Sequence, residues 1–359
     1  MLKITDIRAK RVQLKLHEPV VISRGTITHA DTVVAKVLTD EGICGYGEGS
    51  GATFITGETT ETILGAIQML KDELVGLDPL AIGHIHRVMD QALVGNGSAK
   101  AAIDIALYDI MGKAVKAPLY KILGGIYSRI ETDMTVLIDK PSVMAERAKE
   151  IAARGFRFIK VKAGSDPDED IEAIRLIREA VGPSVHIKID ANQAWSVPEC
   201  LRIMERLLPL GVDLVEQPVP YWDLDGLAQI RRKARFAVMA DESCFTPQDA
   251  VALIKKDAVD MINVKLMKCG GLYRAMEIDS VCRAAGVGCM VGCMVESRIG
   301  IAAGAALVAS HPNFRFADLD SYLYFEDTGE IRGGFIAKGG EMLLTDEPGL
   351  GVTVDMEWA

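Results

Sequence analysis

From about Ile130 onward the chain alternates short runs of β-forming residues with amphipathic helical stretches. No other feature constrains the fold as strongly, because this alternation is the mark of βα units laid around a parallel sheet. The extended runs fall near Thr132 to Ile138, Phe158 to Lys162, Val185 to Asp190, Leu214 to Glu216, Ala237 to Asp241, Met261 to Lys265, Gly288 to Met294 and Phe314 to Asp318. Helices such as Ile171 to Val181, Cys200 to Leu208 and Leu272 to Ala285 separate the later runs. A doubly wound open sheet shows the same alternation, but eight units at a spacing of roughly 25 residues favour closure into an α/β TIM-like barrel. Such a barrel uses about 250 residues, so 359 leave room for a smaller domain.

That domain is expected at the N-terminus. Extended segments near Ile4 to Leu16 and Thr32 to Leu38 are followed by a glycine-rich turn over Gly42 to Gly49. Three helical stretches come next, near Glu61 to Val75, Ala81 to Leu93 and Ala99 to Ala114, each with apolar residues three and four apart. Glycine pairs at Gly333-Gly334 and Gly339-Gly340 turn the C-terminal tail back onto this domain. The expected division is an α+β domain over 1–125, a barrel over 126–322 and a tail over 323–359.

The formal charge of −10, from 40 Lys and Arg against 50 Asp and Glu, argues against a nucleic-acid partner, which would need clustered positive charge. The N-terminus carries no apolar signal core, and no apolar run reaches the ~18 residues of a membrane span. A cytoplasmic protein acting on a small molecule, with no membrane partner, is expected; a homo-oligomer is expected too. Seven cysteines are scattered without paired spacing, and the repeat Gly288-Cys289-Met290-Val291-Gly292-Cys293-Met294 has no accompanying histidine. It reads as small core residues on a strand rather than a metal site.

The chemistry lies at the strand ends, where barrel active sites are built. Successive strands close on Lys160 and Lys162, Asp190, Glu216, Asp241, Lys265 and Asp318. Lys160 and Lys162 are two apart and point the same way; outward-facing lysines on a solvated strand are the alternative. Asp190, Glu216 and Asp241 fall on three consecutive strands. Two unit charges ~4 Å apart at an effective dielectric of ~20 repel by about 4 kcal/mol, so a cation is implied. All-oxygen ligands point to Mg²⁺, with Mn²⁺ able to substitute. Any one of these acids alone would read as a helix cap or an ion pair.

Lys265 ends the sixth strand, opposite the second across the axis. A carboxylate substrate between them presents one face of its α-carbon to Lys162 and the other to Lys265. One lysine can then remove a proton while the other returns it from the opposite side. Each must be neutral to act as a base, which requires a pKa below ~10.4. General-base help of ~10²–10⁴-fold is too little alone, so the metal is needed to stabilise the enediolate.

Lys-x-Lys, Asp, Glu, Asp and Lys at the ends of strands two to six resemble the enolase superfamily, specifically its muconate-lactonizing-enzyme subgroup. The resemblance spans nearly the whole chain. It implies a (β/α)₇β barrel closed by an N-terminal capping domain that the tail completes. It also implies Lys162 and Lys265 as the acid/base pair, Lys160 as an auxiliary near the substrate carboxylate, and Asp190, Glu216 and Asp241 as Mg²⁺ ligands. Phe316-Ala317-Asp318-Leu319-Asp320 is similar to the Asp-x-Asp motif with which dipeptide epimerases hold the substrate amino group, as charge-assisted acceptors would. Thr135, Leu319 and the run Cys293-Met294-Val295 match segments bordering the dipeptide. Capping loops correspond to Val21 to Ile27 and Gly51 to Gly57, with Arg24 the candidate partner for a glutamate side chain and Ile27 and Phe54 an alternative apolar pocket. The resemblance therefore implies epimerisation of an L,L-dipeptide, leaning towards L-Ala-L/D-Glu. N-acylamino acid racemisation, o-succinylbenzoate synthesis and cycloisomerisation use the same machinery, and a non-catalytic metal- or ligand-binding barrel is the rival of another class.

Overall fold

The computed structural model describes residues 2–17, 19–22, 25–27, 30–326 and 328–358, with the backbone alone for 20–22 and 25–27. The first strands are β1 (Ile4–Leu14), the hairpin β2 (Val20–Ile22) and β3 (Gly25–Ile27), β4 (Ala30–Thr39) and β5 (Cys44–Gly49). β4 lies antiparallel between β1 and β5. Helices α1 (Thr60–Leu74), α2 (Ile82–Ala92), α3 (Gly97–Val115) and α4 (Leu119–Ile122) follow, then β6 (Arg129–Glu131).

The glycine-rich stretch is not a turn throughout. Only its start turns, and Cys44–Gly49 is a strand pressed against α3. A Cβ at Gly45, Gly47 or Gly49 would run into the carbonyl oxygens of Ala106, Ala102 and Ser98. These glycines let the sheet and α3 come into backbone contact, a use of glycine that local sequence does not separate from a turn.

The barrel follows as β7 (Met134–Val136), α5 (Pro141–Ala153), β8 (Phe158–Lys162), α6 (Pro167–Val181), β9 (His186–Asp190), α7 (Val197–Leu207) and β10 (Leu214–Glu216). It continues with α8 (Leu224–Lys233), β11 (Ala237–Ala240), α9 (Pro247–Lys255), β12 (Met261–Lys265), α10 (Leu266–Cys269), α11 (Leu272–Ala284), β13 (Gly288–Gly292), α12 (Arg298–Ser310) and β14 (Phe314–Asp318). The eight strands from β7 to β14 lie parallel and in chain order. Where β14 meets β7, Asp133 N–H donates to Ala317 O at 3.1 Å and Leu319 N–H to Thr132 Oγ1 at 2.8 Å, which closes the ring. Helix starts are fixed locally: Ser196 and Glu199 form a capping box on α7, and Thr246 and Asp249 form one on α9.

β13 stops earlier than expected. Beyond Gly292 the Cys293 N–H still donates to Asp318 O at 3.0 Å, but the side chain of Glu296 takes the Met294 N–H at 2.7 Å, so the ladder ends there. In the tail, β15 (Ile331–Gly333) pairs with β18 (Val352–Val354), and β16 (Phe335–Lys338) pairs with β17 (Glu341–Leu344), which pairs in turn with β6. Leu350 N–H donates to Asp109 on α3 at 2.9 Å, and Trp358 packs against Tyr46 on β5.

The N-terminal strands are tied to the barrel through helix N-termini, whose free N–H groups need acceptors. Buried Glu48 on β5 accepts from Ser297 N–H at 2.8 Å, Ser297 Oγ at 2.7 Å and Gly300 N–H at 2.9 Å at the start of α12. Asp104 on α3 accepts from Leu272 N–H at the start of α11 and from His86 at 2.7 Å. No helix among the described residues is long and apolar enough to cross a membrane.

The α3 contact gives a paired test. Gly47→Ala should lower the unfolding free energy by about 3 kcal/mol. Gly65→Ala, exposed on α1 with open space around it, should raise it by about 0.5–1 kcal/mol. Urea unfolding of both variants measures the contrast.

Candidate active site

Side chains alternate along a strand, so Lys160 and Lys162 on β8, Lys188 and Asp190 on β9, and Asn263 and Lys265 on β12 form pairs two residues apart. Asp190, Glu216, Lys265 and Asp318 are the last residues of their strands, and Asp241 follows the last. Lys160, 2% exposed, sits at the centre of the group. Its ammonium lies 2.7 Å from Asp318 Oδ2, 2.9 Å from Asp190 Oδ2 and 2.9 Å from Glu216 Oε2. Lys162 donates to Asp190 Oδ2 at 2.7 Å and Asn192 Oδ1 at 2.9 Å. Lys265 lies 2.9 Å from Asp241 Oδ2.

Burial opposes charge at every one of these positions, yet opposite charge outweighs it at most. Asp190 and Asp241 fall below the usual carboxylate range, Asp190 chiefly through Lys160 and Lys162, Asp241 through Lys265 and Lys268. Asp318 is lowered likewise, by Lys160 above all. Glu216 differs: burial and the neighbouring Asp190 push it up to about 7. Lys160 and Lys265 are held above the ordinary lysine value, desolvation notwithstanding, by the acids around them. For Lys265 this is opposite to the lowering expected of a base, because the acids that would share a cation surround its ammonium directly.

The donor set suits a hard divalent cation. Glu216 Oε2 and Asp241 Oδ2 are buried and accept no hydrogen bond, although an ammonium stands 2.9 Å from each. Anionic oxygens left in that condition call for a cation with oxygen preference. The three acids are spread around the lysines; among the described residues, the ligand-type atoms all within 4.8 Å of one another belong to Cys293, Asp318 and Asp320.

A cavity of about 380 Å³ opens above this charge cluster. Lys160, Lys162, Lys265, Thr135, Cys293, Met294, Val295, Asp318, Asp320 and Phe54 all line it, with Leu16, Ile55 and Leu137 adding apolar wall. Asp320 Oδ2 accepts from Thr135 N–H at 2.8 Å and from the Tyr324 hydroxyl at 3.1 Å. One expected site residue departs from this. Leu319 is 1% exposed and packs beside Gly304 of α12, because alternation along the strand turns it away from the side shared by Asp318 and Asp320. Cys293 is not strand core but lies at the cavity beside those two acids. Arg24 lies outside the described residues, and of Ile27 only the backbone in β3 is described.

Several polar residues were not anticipated. Lys268, fully buried, donates to Asp241 Oδ1 at 2.6 Å and Asn263 O at 2.9 Å. Asn263 Nδ2 donates to Glu216 Oε1 at 2.7 Å. Gln217 Oε1 accepts from Asp241 N–H at 2.9 Å and Ser243 N–H at 3.1 Å, tying β10 to β11. Lower in the barrel, Lys188 pairs with Asp133 and lies 5.4 Å from the Phe316 ring centre. The period-two pairs Lys188/Asp190 and Asn263/Lys265 carried the signal for two of them.

Residues 4–124 match the mandelate racemase/muconate lactonizing enzyme N-terminal domain, and residues 143–358 match the enolase C-terminal domain-like family. The hydrophobic dipeptide epimerase of Enterococcus faecalis is 43% identical over 354 residues, 98% of this chain and 100% of that protein. An L-Ala-D/L-Glu epimerase of Clostridium acetobutylicum is 38% identical, over 97% of this chain and 98% of the relative. An N-succinyl-L-Arg/Lys racemase of Bacillus cereus is 36% identical, over 99% and 96%. The crystal structure of the Enterococcus faecalis dipeptide epimerase with Mg and L-Leu-L-Tyr superposes with a TM-score of 0.96 at 42% identity, covering 98% of this chain and 99% of that one.

Glu296, fully buried behind the cavity, yields a test of the charge balance. Burial and the neighbouring Glu48 push its pKa up to about 8 from 4.5, so the folded state holds a proton there that the unfolded chain loses. Between those values stability falls as pH rises, by about 1.4 kcal/mol per pH unit as an upper bound. Glu296→Gln removes the titration. Its urea midpoint should therefore gain on the native chain between pH 6 and pH 8, whereas a constant difference would mean that Glu296 ionises alike in both states.

Proposed function

The chain belongs to the mandelate racemase/muconate lactonizing enzyme family of the enolase superfamily, and from that membership we propose that it is a Mg²⁺-dependent dipeptide epimerase. It inverts the α-carbon of the C-terminal residue of an L,L-dipeptide. The observation that carries the proposal is one cavity lined by lysines from the second and sixth strands of eight and by the acidic pair at the end of the eighth.

Asp190, Glu216 and Asp241 are the residues to hold Mg²⁺, which when bound supplies positive charge that acidifies the α-proton next to a carboxylate. Lys160 stands among them and offers its ammonium to the same carboxylate. The amine of Lys162 takes the α-proton from one face, leaving the bonding pair on carbon. The ammonium of Lys265 then gives its proton to the opposite face, and the return reaction exchanges their roles. Asp318 and Asp320 clasp the substrate ammonium, with Thr135 N–H and the Tyr324 hydroxyl fixing Asp320. An N-acylated substrate has no α-ammonium group to satisfy this pair, which argues against the racemase reaction. A non-catalytic barrel has no use for lysines on both faces of a ligand.

Leu16, Phe54, Ile55, Leu137, Met294 and Val295 favour apolar side chains on the dipeptide over the L-Ala-L/D-Glu substrate. The free state of all seven cysteines suits a cytoplasmic setting.

The test is α-proton exchange followed by NMR in D₂O with Mg²⁺ and a library of L,L-dipeptides. Epimerisation with deuterium entering the C-terminal residue is expected, faster for L-Ala-L-Leu than for L-Ala-L-Glu, and lost on N-acetylation. Lys162→Ala and Lys265→Ala should each abolish epimerisation, a loss of at least ~10²-fold. Each variant should still exchange the α-proton of one epimer, and not the same one. Exchange of both epimers by either variant would remove that lysine from its role.

A further inference from the structure

Each of the three acids has one oxygen held by a donor of the protein and the other turned to the lysines of the cavity. Asp190 Oδ1 accepts from Asn192 N–H at 2.9 Å while Oδ2 meets Lys160 and Lys162. Glu216 Oε1 accepts from Asn263 Nδ2 at 2.7 Å while Oε2 faces Lys160. Asp241 Oδ1 accepts from Lys268 Nζ at 2.6 Å while Oδ2 faces Lys265.

The holding groups are firmly placed. Asn192 has φ 43, a left-handed conformation that turns its N–H back onto the Asp190 side chain. Asn263 is 0% exposed on β12. The Lys268 ammonium is locked by Asp241 O, Asp241 Oδ1 and Asn263 O. A carboxylate fixed this way resists the rotation that would present both oxygens to one ion.

We infer that Asn192, Asn263 and Lys268 are positioning residues that restrict each of the three acids to a single metal-facing oxygen and so select Mg²⁺ against Ca²⁺. The inference rests on the assignment of those acids as metal ligands. Mg²⁺ demands near-octahedral coordination with few protein ligands and several retained waters, whereas Ca²⁺ accepts 6–8 oxygens and gains from carboxylates that bind through both. Three single oxygens serve the smaller ion and leave the larger one short. Outer partners of metal ligands commonly change affinity by about 10–100-fold when removed. Here the effect should fall unequally on the two ions, because releasing a carboxylate gives Ca²⁺ a second oxygen and gives Mg²⁺ only disorder.

Isothermal titration of the full chain, freed of metal by chelation, reads the Kd for Mg²⁺ and for Ca²⁺ without reference to activity. The native chain should bind Mg²⁺ more tightly, and Asn263→Ala should shift the Ca²⁺/Mg²⁺ affinity ratio towards Ca²⁺ by about 10-fold or more. Lys268→Met should shift it the same way, so the test survives if one variant does not fold, and the native ratio stands even without either. Equal affinity of the native chain for both ions, or variants that weaken both ions alike, would overturn the inference while leaving the metal assignment intact. A native chain that binds neither ion, or whose binding is untouched by Asp190→Asn, would overturn the metal assignment beneath it.

Discussion

The structure depends on compensating charge among side chains buried inside a barrel. Four carboxylates, Asp190, Glu216, Asp241 and Asp318, are at most 4% exposed, as are Lys160, Lys265 and Lys268. Any of them alone in such a place would be ruinous, since an unpaired buried charge commonly costs 3–5 kcal/mol. Together they form an alternating array in which every acid touches an ammonium and every ammonium touches an acid. An apolar filling would stabilise a barrel at least as well. The array is therefore retained for what it does to a guest, and the fold is organised to tolerate it.

That tolerance comes from the frame. The parallel strands fix where each charged residue emerges, and the side-chain amide of Gln217 keeps the mouths of β10 and β11 in register. The N-terminal domain closes the top of the site by giving its own carboxylates to barrel helices: Glu48 caps α12 and Asp104 caps α11. Ser50, just after β5, binds Val295 O at 2.7 Å. The backbone contact of β5 with α3, possible only without a Cβ at Gly47, therefore sits in the same continuous frame as the wall of the cavity.

How much of this the sequence revealed follows from the range of each signal. The barrel was legible because alternation and strand-end charge repeat at fixed intervals, and Lys160, Lys162, Lys265, Asp318 and Asp320 duly meet at one cavity. Gly42 to Gly49 misled because a glycine needed by a distant helix looks the same as one needed by a turn. Lys268 was invisible for a related reason: it follows the strand, on α10, and its partner Asp241 is 27 residues away. Leu319 was included with its neighbours by motif, whereas alternation alone would have turned it to the other side. The raised pKa of Lys265 could not be foreseen because it depends on how many acids surround the ammonium, a count that only three dimensions supply.

The arrangement of the lysines also bears on why such a site can run in both directions. Lys162 shares Asp190 with Lys160, and Lys265 shares Asp241 with Lys268. Each of these two lysines thus divides one carboxylate with a second lysine, on either side of Glu216 on the middle strand. In the proposed mechanism the two faces of a substrate between them meet closely matched surroundings. Interconverting epimers differ little in free energy, so a proton must be about as easy to take from one face as from the other, and a strong bias at either lysine would trap it there. The match is not perfect: Lys160 lines the cavity while Lys268 is sealed beneath it, and Lys162 is more exposed than Lys265. In the proposed mechanism those differences set the substrate carboxylate on the Lys160 side and a fixed wall on the Lys268 side, which gives an otherwise balanced site a single orientation for its guest.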